Sequence, residues 1–262
     1  MSLFSELRLV PFSRLTNGSR WRVEAMRSYS APQLLWITKG QGRITVGGVT
    51  RGYGAHNAVF IPAHTMHGFE MTSQVYGTGI VFADLPAIEL PDGPHHLRIR
   101  DGAVQAELTF LVESLQRELE GRRPEARRAI RHLAGLVSVW LDRQIALDEA
   151  ATGRPDPARR LASGFAALVE KEFRSAKSVS DYAAALGVTP THLTRVCNRT
   201  CGRSASELLA ERKISEARRL LADTRAPIKE IASALGYASP AYFTRAFQAR
   251  AGASPSRFRK GH

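Results

Sequence analysis

Residues 179–254 contain a repeat, and it restricts the fold more than any other feature of this 262-residue chain. The first copy runs VSDYAAALGVTPTHLTRVCNRTCGRS from Val179, and the second runs IKEIASALGYASPAYFTRAFQARAGAS from Ile228. Ala183 matches Ala232, Leu186 matches Leu235 and Gly187 matches Gly236. After a one-residue offset in the turn, Pro190 matches Pro240, Thr194-Arg195 matches Thr244-Arg245, and Gly202 matches Gly252. Each copy reads helix, turn, helix. Small Ala residues let a second helix cross the first closely, and Gly187 or Gly236 permits the left-handed residue that ends the first helix. Thr189 and Ser239 are N-cap types, with Pro190 and Pro240 at the first helical position, where a missing N–H costs nothing. Leu193 and Cys197, like Phe243 and Phe247, recur at i, i+4 and are expected to face inward. The polar residues between them then face out, toward a major groove if DNA is present. Gly202 and Gly252 stop the second helices.

The stretch between the copies, SASELLAERKISEARRLLAD, is a strong helix former with Leu209, Ile214, Ala217 and Leu221 apolar. Its length holds the two units at a fixed separation, which suits successive major-groove faces about 34 Å apart. Charge points the same way. The chain carries a net +13, and residues 151–262 hold 20 Lys+Arg against 9 Asp+Glu. Such a segment attracts phosphate polyanions and gains affinity by releasing their counterions.

With the residues that follow it, the second copy reads IKEIASALGYASPAYFTRAFQARAGASPSRFRK. This closely resembles the signature of the AraC/XylS family of bacterial transcription regulators, and the resemblance covers residues 158–260. Cys197 departs from it where the first unit usually has Phe, as do Asn198 and Gln248 where Lys is common. The resemblance implies base contacts from Thr191, Thr194 and Arg195 in the first unit and from Ala241, Thr244 and Arg245 in the second. Arginine suits this role because its fork pairs with guanine O6 and N7. His192, Arg199, Gln248 and Arg250 are then phosphate contacts, which position a helix without reading sequence. The family implies double-stranded DNA and RNA polymerase as partners, and it favours activation over repression.

Residues 1–83 read as β structure, with short runs at 20–29, 34–39, 43–46 and 58–61 separated by Gly- and Asn-rich punctuation. Gly47-Gly48 is a two-residue hairpin signal. Many short strands suggest a small barrel or sandwich, ended by the Pro/Gly/His-rich stretch 85–97. The segment QLLWITKGQGRITVGGVTRGYGAHNAVFIPAHTMHGFE resembles a cupin barrel, through Gly40-x-Gly42, the hairpin glycines and Pro62-x4-His67. Metal-binding cupins supply two His, one Glu and a later His. Here Met26, Ser28 and Gln33 stand at the first three positions, leaving His67. One imidazole cannot hold a metal against water, so no metal, no cofactor and no cupin oxygenase activity is expected. His64, His67 and Glu70 are spaced by three, and in a strand such residues point to opposite faces. Cys197 and Cys201 have i, i+4 spacing, but Cys197 aligns with the apolar Phe247 and reads as a small core residue. A small barrel can enclose one modest ligand. Met26, Ser28, Gln33, Leu35, His67 and Phe69 are the candidate effector pocket; the alternative is that they simply fill the core.

From Val104 the period becomes helical: Val104, Leu108, Leu111, Leu115 and Leu119 share a stripe, and Gly121 follows. A second helix starting near Pro124 carries Ile130, Leu133, Val137, Trp140 and Leu141. Its seam can be covered by the barrel or by a second subunit. Packing of the first helix on the barrel and a homodimer contact through the second are the expected arrangement. The fold class is therefore α+β with two domains. It comprises a cupin-like effector-sensing barrel (1–100), a helical dimerisation region (101–149), a linker (150–157) and an all-α DNA-binding domain (158–262) with two helix-turn-helix units joined by a linking helix. No apolar run approaches the roughly 18 residues that span a bilayer. The first residues, with Glu6 and Arg8, carry no secretory h-region, and two cysteines fit a reducing cytoplasm. The leading expectation is a DNA-binding regulator controlled by an effector, and not an enzyme. The alternatives are an effector-free dimerisation barrel and a metal-dependent cupin enzyme fused to a DNA-binding tail.

Overall fold

The structure, a computed structural model, describes residues 7–16, 25–70, 74–85, 87–121, 123–152 and 156–261. Its N-terminal part is built from two antiparallel sheets. The larger has the order β1 (Leu7–Pro11), β7 (Tyr76–Phe82), β2 (Gln33–Lys39), β5 (Asn57–Ile61), β8 (His95–Arg98), and a short helix α1 (Phe12–Thr16) follows β1. The smaller has the order β4 (Val49–Tyr53), β3 (Gly42–Val46), β6 (His67–Glu70). Gly47 and Gly48 join β3 to β4 with φ of 53° and 73°, the paired positive values that a tight hairpin demands. Of the run expected at 20–29, residues 20–24 lie outside the described residues. Residues 25–29 do not form a strand; Arg27 makes an isolated bridge to His67.

The period-2 geometry of β2 and β5 explains why both read as unbroken apolar runs. Leu35, Ile37, Val59 and Ile61 point to one face, where they meet Ile44, Tyr53 and Phe69 of the smaller sheet. Leu34, Trp36, Ala58 and Phe60 point to the other. A sheet covered on both faces needs no polar alternation. The second cover is helical: α2 (Gly102–Glu120) and α3 (Ala126–Thr152) lay Leu108, Leu111, Leu115, Ile130, Val137, Trp140 and Leu141 onto the larger sheet. This corrects the expected dimer seam. Ile130, Val137, Trp140 and Leu141 are buried within the chain and Leu133 is partly buried against the same cluster, because the sheet's outer face competes for that stripe and wins it. Trp140 Nε1 donates to Val104 O at 3.3 Å, and Trp36 Nε1 to Thr109 Oγ1 at 3.2 Å. The outward side of α3 keeps Leu136, Val139 and Leu147 exposed. Helix α3 also runs to Thr152, into the stretch expected as linker.

The C-terminal part is helical: α4 (Pro157–Glu172), α5 (Val179–Ala185), α6 (Pro190–Cys201), α7 (Ala205–Asp223), α8 (Ile228–Ala234), α9 (Pro240–Ala251) and α10 (Pro255–Lys260). Leu209, Ile214, Ala217 and Leu221 of α7 are buried, as its periodicity requires. Its polar face is buried too. Arg212 forks onto Glu170 of α4 (Nε to Oε2 2.6 Å, Nη2 to Oε1 2.9 Å), stacks over the Phe173 ring at 3.9 Å and reaches Ser28 Oγ at 3.1 Å. Ser28 in turn donates to Glu170 Oε1 at 2.5 Å. Met26 and Met66 complete the seam by entering the helical core. Among the described residues, no helix is long and apolar enough to cross a membrane.

Glu216, 7% exposed, accepts from Arg219 at 2.8 Å and Arg174 at 2.9 Å and lies 3.5 Å from Arg212. Burial raises its pKa, but the hydrogen bonds from Arg219 and Arg174 and the charge of Arg212 outweigh that and hold the carboxyl at about 2. The folded value lies below the ordinary 4.5. Its stabilising contribution is therefore complete above that pH and lost as pH falls toward 2. Denaturant titrations at fixed pH should show about 3 kcal/mol lost across this window. Glu216→Gln should remove that part of the slope. Arg212→Ala, which removes the guanidinium that forks onto the buried Glu170 carboxylate, should cost about 3–5 kcal/mol at neutral pH.

Candidate nucleic-acid interface

The two repeats fold as two helix-turn-helix units. In the first, the Ser178 hydroxyl accepts from the Asp181 N–H while the Asp181 carboxylate accepts from the Ser178 N–H, a reciprocal cap that starts α5. Thr189 Oγ1 then accepts from His192 N–H at 3.2 Å, Pro190 opens α6, and Gly202 ends it in the left-handed region. The second unit repeats the pattern. Ser239 Oγ accepts from Tyr242 N–H at 3.2 Å, Pro240 opens α9, and Gly252 closes it. The turn glycines differ in one respect. Both have positive φ, but a Cβ on Gly236 would sit 2.3 Å from Ser175 O, so sterics and backbone both demand glycine there.

Leu193, Cys197, Phe243 and Phe247 are fully buried, the inward face that their spacing predicts. Burial pushes the Cys197 thiol up to about 12, which makes it a core group rather than a nucleophile. On the opposite faces, Thr191, Arg195, Ala241 and Arg245 are exposed and Thr194 and Thr244 half-buried. Arg199, Gln248 and Arg250 are exposed beside them, and His192 is half-buried. Arg195 Nη2 donates to His192 Nδ1 at 2.8 Å, so this imidazole orients the guanidinium on the outward face. Thr244 Oγ1 donates to Pro240 O at 2.9 Å, which fixes its hydroxyl. Arg199 lies 4.0 Å from Asp156 in an exposed pair that solvent screens. One outward residue was missed by the sequence reading: Tyr242, 55% exposed, in the position that matches His192, its ring 5.9 Å from that of Tyr237. Its signal was an aromatic residue on a face that otherwise carries polar ones.

The six residues expected to line an effector chamber do not all share one site: Gln33 meets His67 and Leu35 shares a cluster with Phe69, whereas Met26 and Ser28 depart. Met26 enters the helical core and Ser28 joins the Arg212 network. The physical reason is the single bridge at Arg27. With no ladder on either side, Met26 and Ser28 turn toward the helices, while Arg27 is buried near the rings of Tyr29 and Phe69. Leu35 and Phe69 pack between the sheets among Phe12, Ile37 and Ile44. Gln33 Nε2 lies 3.3 Å from His67 Nε2, and His67 Nδ1 donates to Thr65 O at 2.8 Å. Burial and then the Arg27 charge push the His67 pKa down to about 3, so the ring is neutral at pH 7. His64 and Glu70 are exposed while His67 is buried. Among the described residues no group of three His, Cys, Asp or Glu converges as a metal cage.

A family model described as a helix-turn-helix domain matches residues 182–261. The HTH-type transcriptional regulator YfiF of Bacillus subtilis is 41% identical over 81 residues, 31% of this chain and 26% of that protein. ExsA of Pseudomonas aeruginosa is 31% identical over 94 residues, 36% of this chain and 34% of that protein. The arabinose operon regulatory protein of Escherichia coli is 35% identical over 74 residues, 28% and 25% of the two chains. The matched segments thus span about a quarter to a third of the length of these relatives. Among solved structures, the C-terminal domain of the response regulator AraT from Geobacillus stearothermophilus is 31% identical, covering 42% of this chain and 89% of that one at a TM-score of 0.38. Two units with these caps, turns and outward faces define a tandem helix-turn-helix DNA-binding domain. Through it the chain is similar to regulators of the AraC/XylS family.

Arg195→Ala should cost roughly 1–3 kcal/mol on a specific site and relax discrimination at the base it reads. Arg250→Ala should weaken specific and random DNA alike and lower the salt slope by about one. Fluorescence-anisotropy titrations over a salt series check both; equal weakening on both DNAs by Arg195→Ala would sink its base-reading role.

Proposed function

We propose that the chain is an activator that binds DNA as a homodimer and is controlled by a small-molecule effector held by its N-terminal sheets. Thr191, Thr194, Arg195, Ala241, Thr244 and Arg245 read bases, and His192, Arg199, Gln248 and Arg250 hold phosphates. RNA polymerase is the partner that activation requires. The observation that carries the effector reading is the Ser28–Glu170–Arg212 network. Arg212 stands on α7, the helix that spaces the two units, and Ser28 belongs to the N-terminal part. A ligand that binds the joined arrangement differently from the released one shifts how the two units meet DNA. The packing of Leu35 and Phe69 between the sheets favours a second reading, in which the sheets are an effector-free dimerisation module. The catalytic reading has less behind it, since the relatives are named as transcription regulators.

With Ile130, Val137, Trp140 and Leu141 covered, the dimer face is assigned to the outer stripe of α3, Leu136, Val139 and Leu147. Leu136→Glu with Val139→Glu should give a monomer by sedimentation equilibrium without lowering the melting temperature. Trp140→Ala should instead cost about 3–5 kcal/mol of stability. A thermal-shift screen with small metabolites separates the two readings of the sheets. An effector raises the melting temperature and changes operator affinity. DNA binding with no metabolite response supports the effector-free module.

A further inference from the structure

Lys213 stands on α7 one residue after Arg212 and is buried. Its Nζ donates to Ser175 O at 3.0 Å and lies 5.3 Å from the centre of the Tyr237 ring. Burial lowers its pKa, the cost of taking an ammonium out of water. The two partners belong to different units. Ser175 lies in the turn from α4 to α5, which leads into the first helix-turn-helix, and Tyr237 follows the turn glycine of the second. The backbones meet there as well: a Cβ on Gly236 would sit 2.3 Å from Ser175 O and 2.8 Å from Arg174 O. A Cβ on the matching Gly187 would meet nothing within 4 Å, so this contact is not a requirement of the motif itself. The α4–α5 turn is held firmly. Ser175 donates to Glu172 O through its N–H at 2.8 Å and its Oγ at 2.7 Å, and Arg174 reaches Glu216 of α7 at 2.9 Å.

We propose that Lys213 is a positioning residue for DNA reading: with the Ser175 carbonyl and the Tyr237 ring it clasps the second unit to the first and fixes the separation of the two recognition helices. The proposal rests on the reading of both units as DNA-binding. Helix α7 packs against α6 of the first unit and against α8 and α9 of the second. Apolar packing is non-directional, so a helix shared in this way leaves the second unit free to turn about it. A hydrogen bond to a carbonyl has a preferred direction, and here it closes a ring that runs through α7, the α4–α5 turn and the turn of the second unit. Tyr237 carries the restraint onward. Its ring lies 5.2 Å from Phe243 and 5.9 Å from Tyr242, both on the second recognition helix α9. Arg212, the preceding residue, holds Ser28, so the N-terminal seam and the clasp are adjacent on α7.

The test selects binding sites from random-sequence duplex DNA with the full chain and with its variants, and reads the separation of the enriched half-motifs. The parent should enrich two half-motifs at one separation per bound chain. Lys213→Met keeps the apolar stem and removes the donor. It should enrich the same half-motifs with separations spread over about three base pairs, and bind the parent's site about ten-fold more weakly. Lys213→Arg, which keeps a cation and its donors, should keep the single separation. Gly236→Ala pushes the second turn off Ser175 O and leaves α7 untouched, so it reaches the same spread by an independent route if Lys213→Met does not fold. A merely structural lysine would lower the melting temperature and leave the separation fixed, and that result overturns the proposal. A spread as wide in Lys213→Arg as in Lys213→Met overturns it too. If the parent enriches no two-part motif, the DNA reading of the paired units fails and the proposal with it.

Discussion

Arg212 is the residue on which the arrangement of the two halves depends. Its guanidinium is 4% exposed in side-chain terms and satisfied on every side, by the Glu170 fork, by Glu216, by Ser28 and by the Phe173 ring. A buried charge is tolerated only with such partners, and removing one leaves the others without compensation. The network therefore works less as a source of net stability than as a device for geometry. Hydrophobic contacts such as Met26 and Met66 in the helical core can slide, whereas a bidentate fork accepts one orientation. The seam is thus specified by charge and filled by apolar side chains.

From that seam the rest of the architecture follows. Helix α7 spaces the two helix-turn-helix units and carries Arg212, so the element that sets the distance between recognition helices also touches the N-terminal segment. Helix α4 does a parallel job on the other side, receiving the Gly48 hairpin and supporting Val196 of α6. The first recognition helix thus joins the sheets through α4, while the second packs on α7, the helix that carries Arg212.

The helix-turn-helix units were legible almost residue by residue. Caps, the proline at the first helical position and the turn glycine act over a few residues, and Thr189, Ser239, Gly187 and Gly236 do what those local rules require. The inward set Leu193, Cys197, Phe243 and Phe247 follows from the same short period. The N-terminal reading held for the Gly47-Gly48 hairpin and for β2, β3 and β5, and failed where partners were distant in sequence. Ile130, Val137, Trp140 and Leu141 announced an apolar seam correctly; which surface covers it depended on a sheet face formed some forty to a hundred residues away. Met26 and Ser28 were assigned inward from the cupin resemblance, which presumes a ladder that residues 25–29 do not form.

The sequence by itself determined that this chain builds two helix-turn-helix units on a basic helical domain, because helix starts, stops and faces are set by contacts within one or two turns. It also determined that the N-terminal part is β structure with an apolar, helical addition. Only the tertiary structure decided that the α3 seam faces inward, that Arg212 locks α7 to Ser28, and that the Gly48 hairpin presses on Ala162 of α4. Each of these joins residues widely separated along the chain. Their pairing is fixed by which faces remain uncovered once the local elements exist, and no local spacing encodes that.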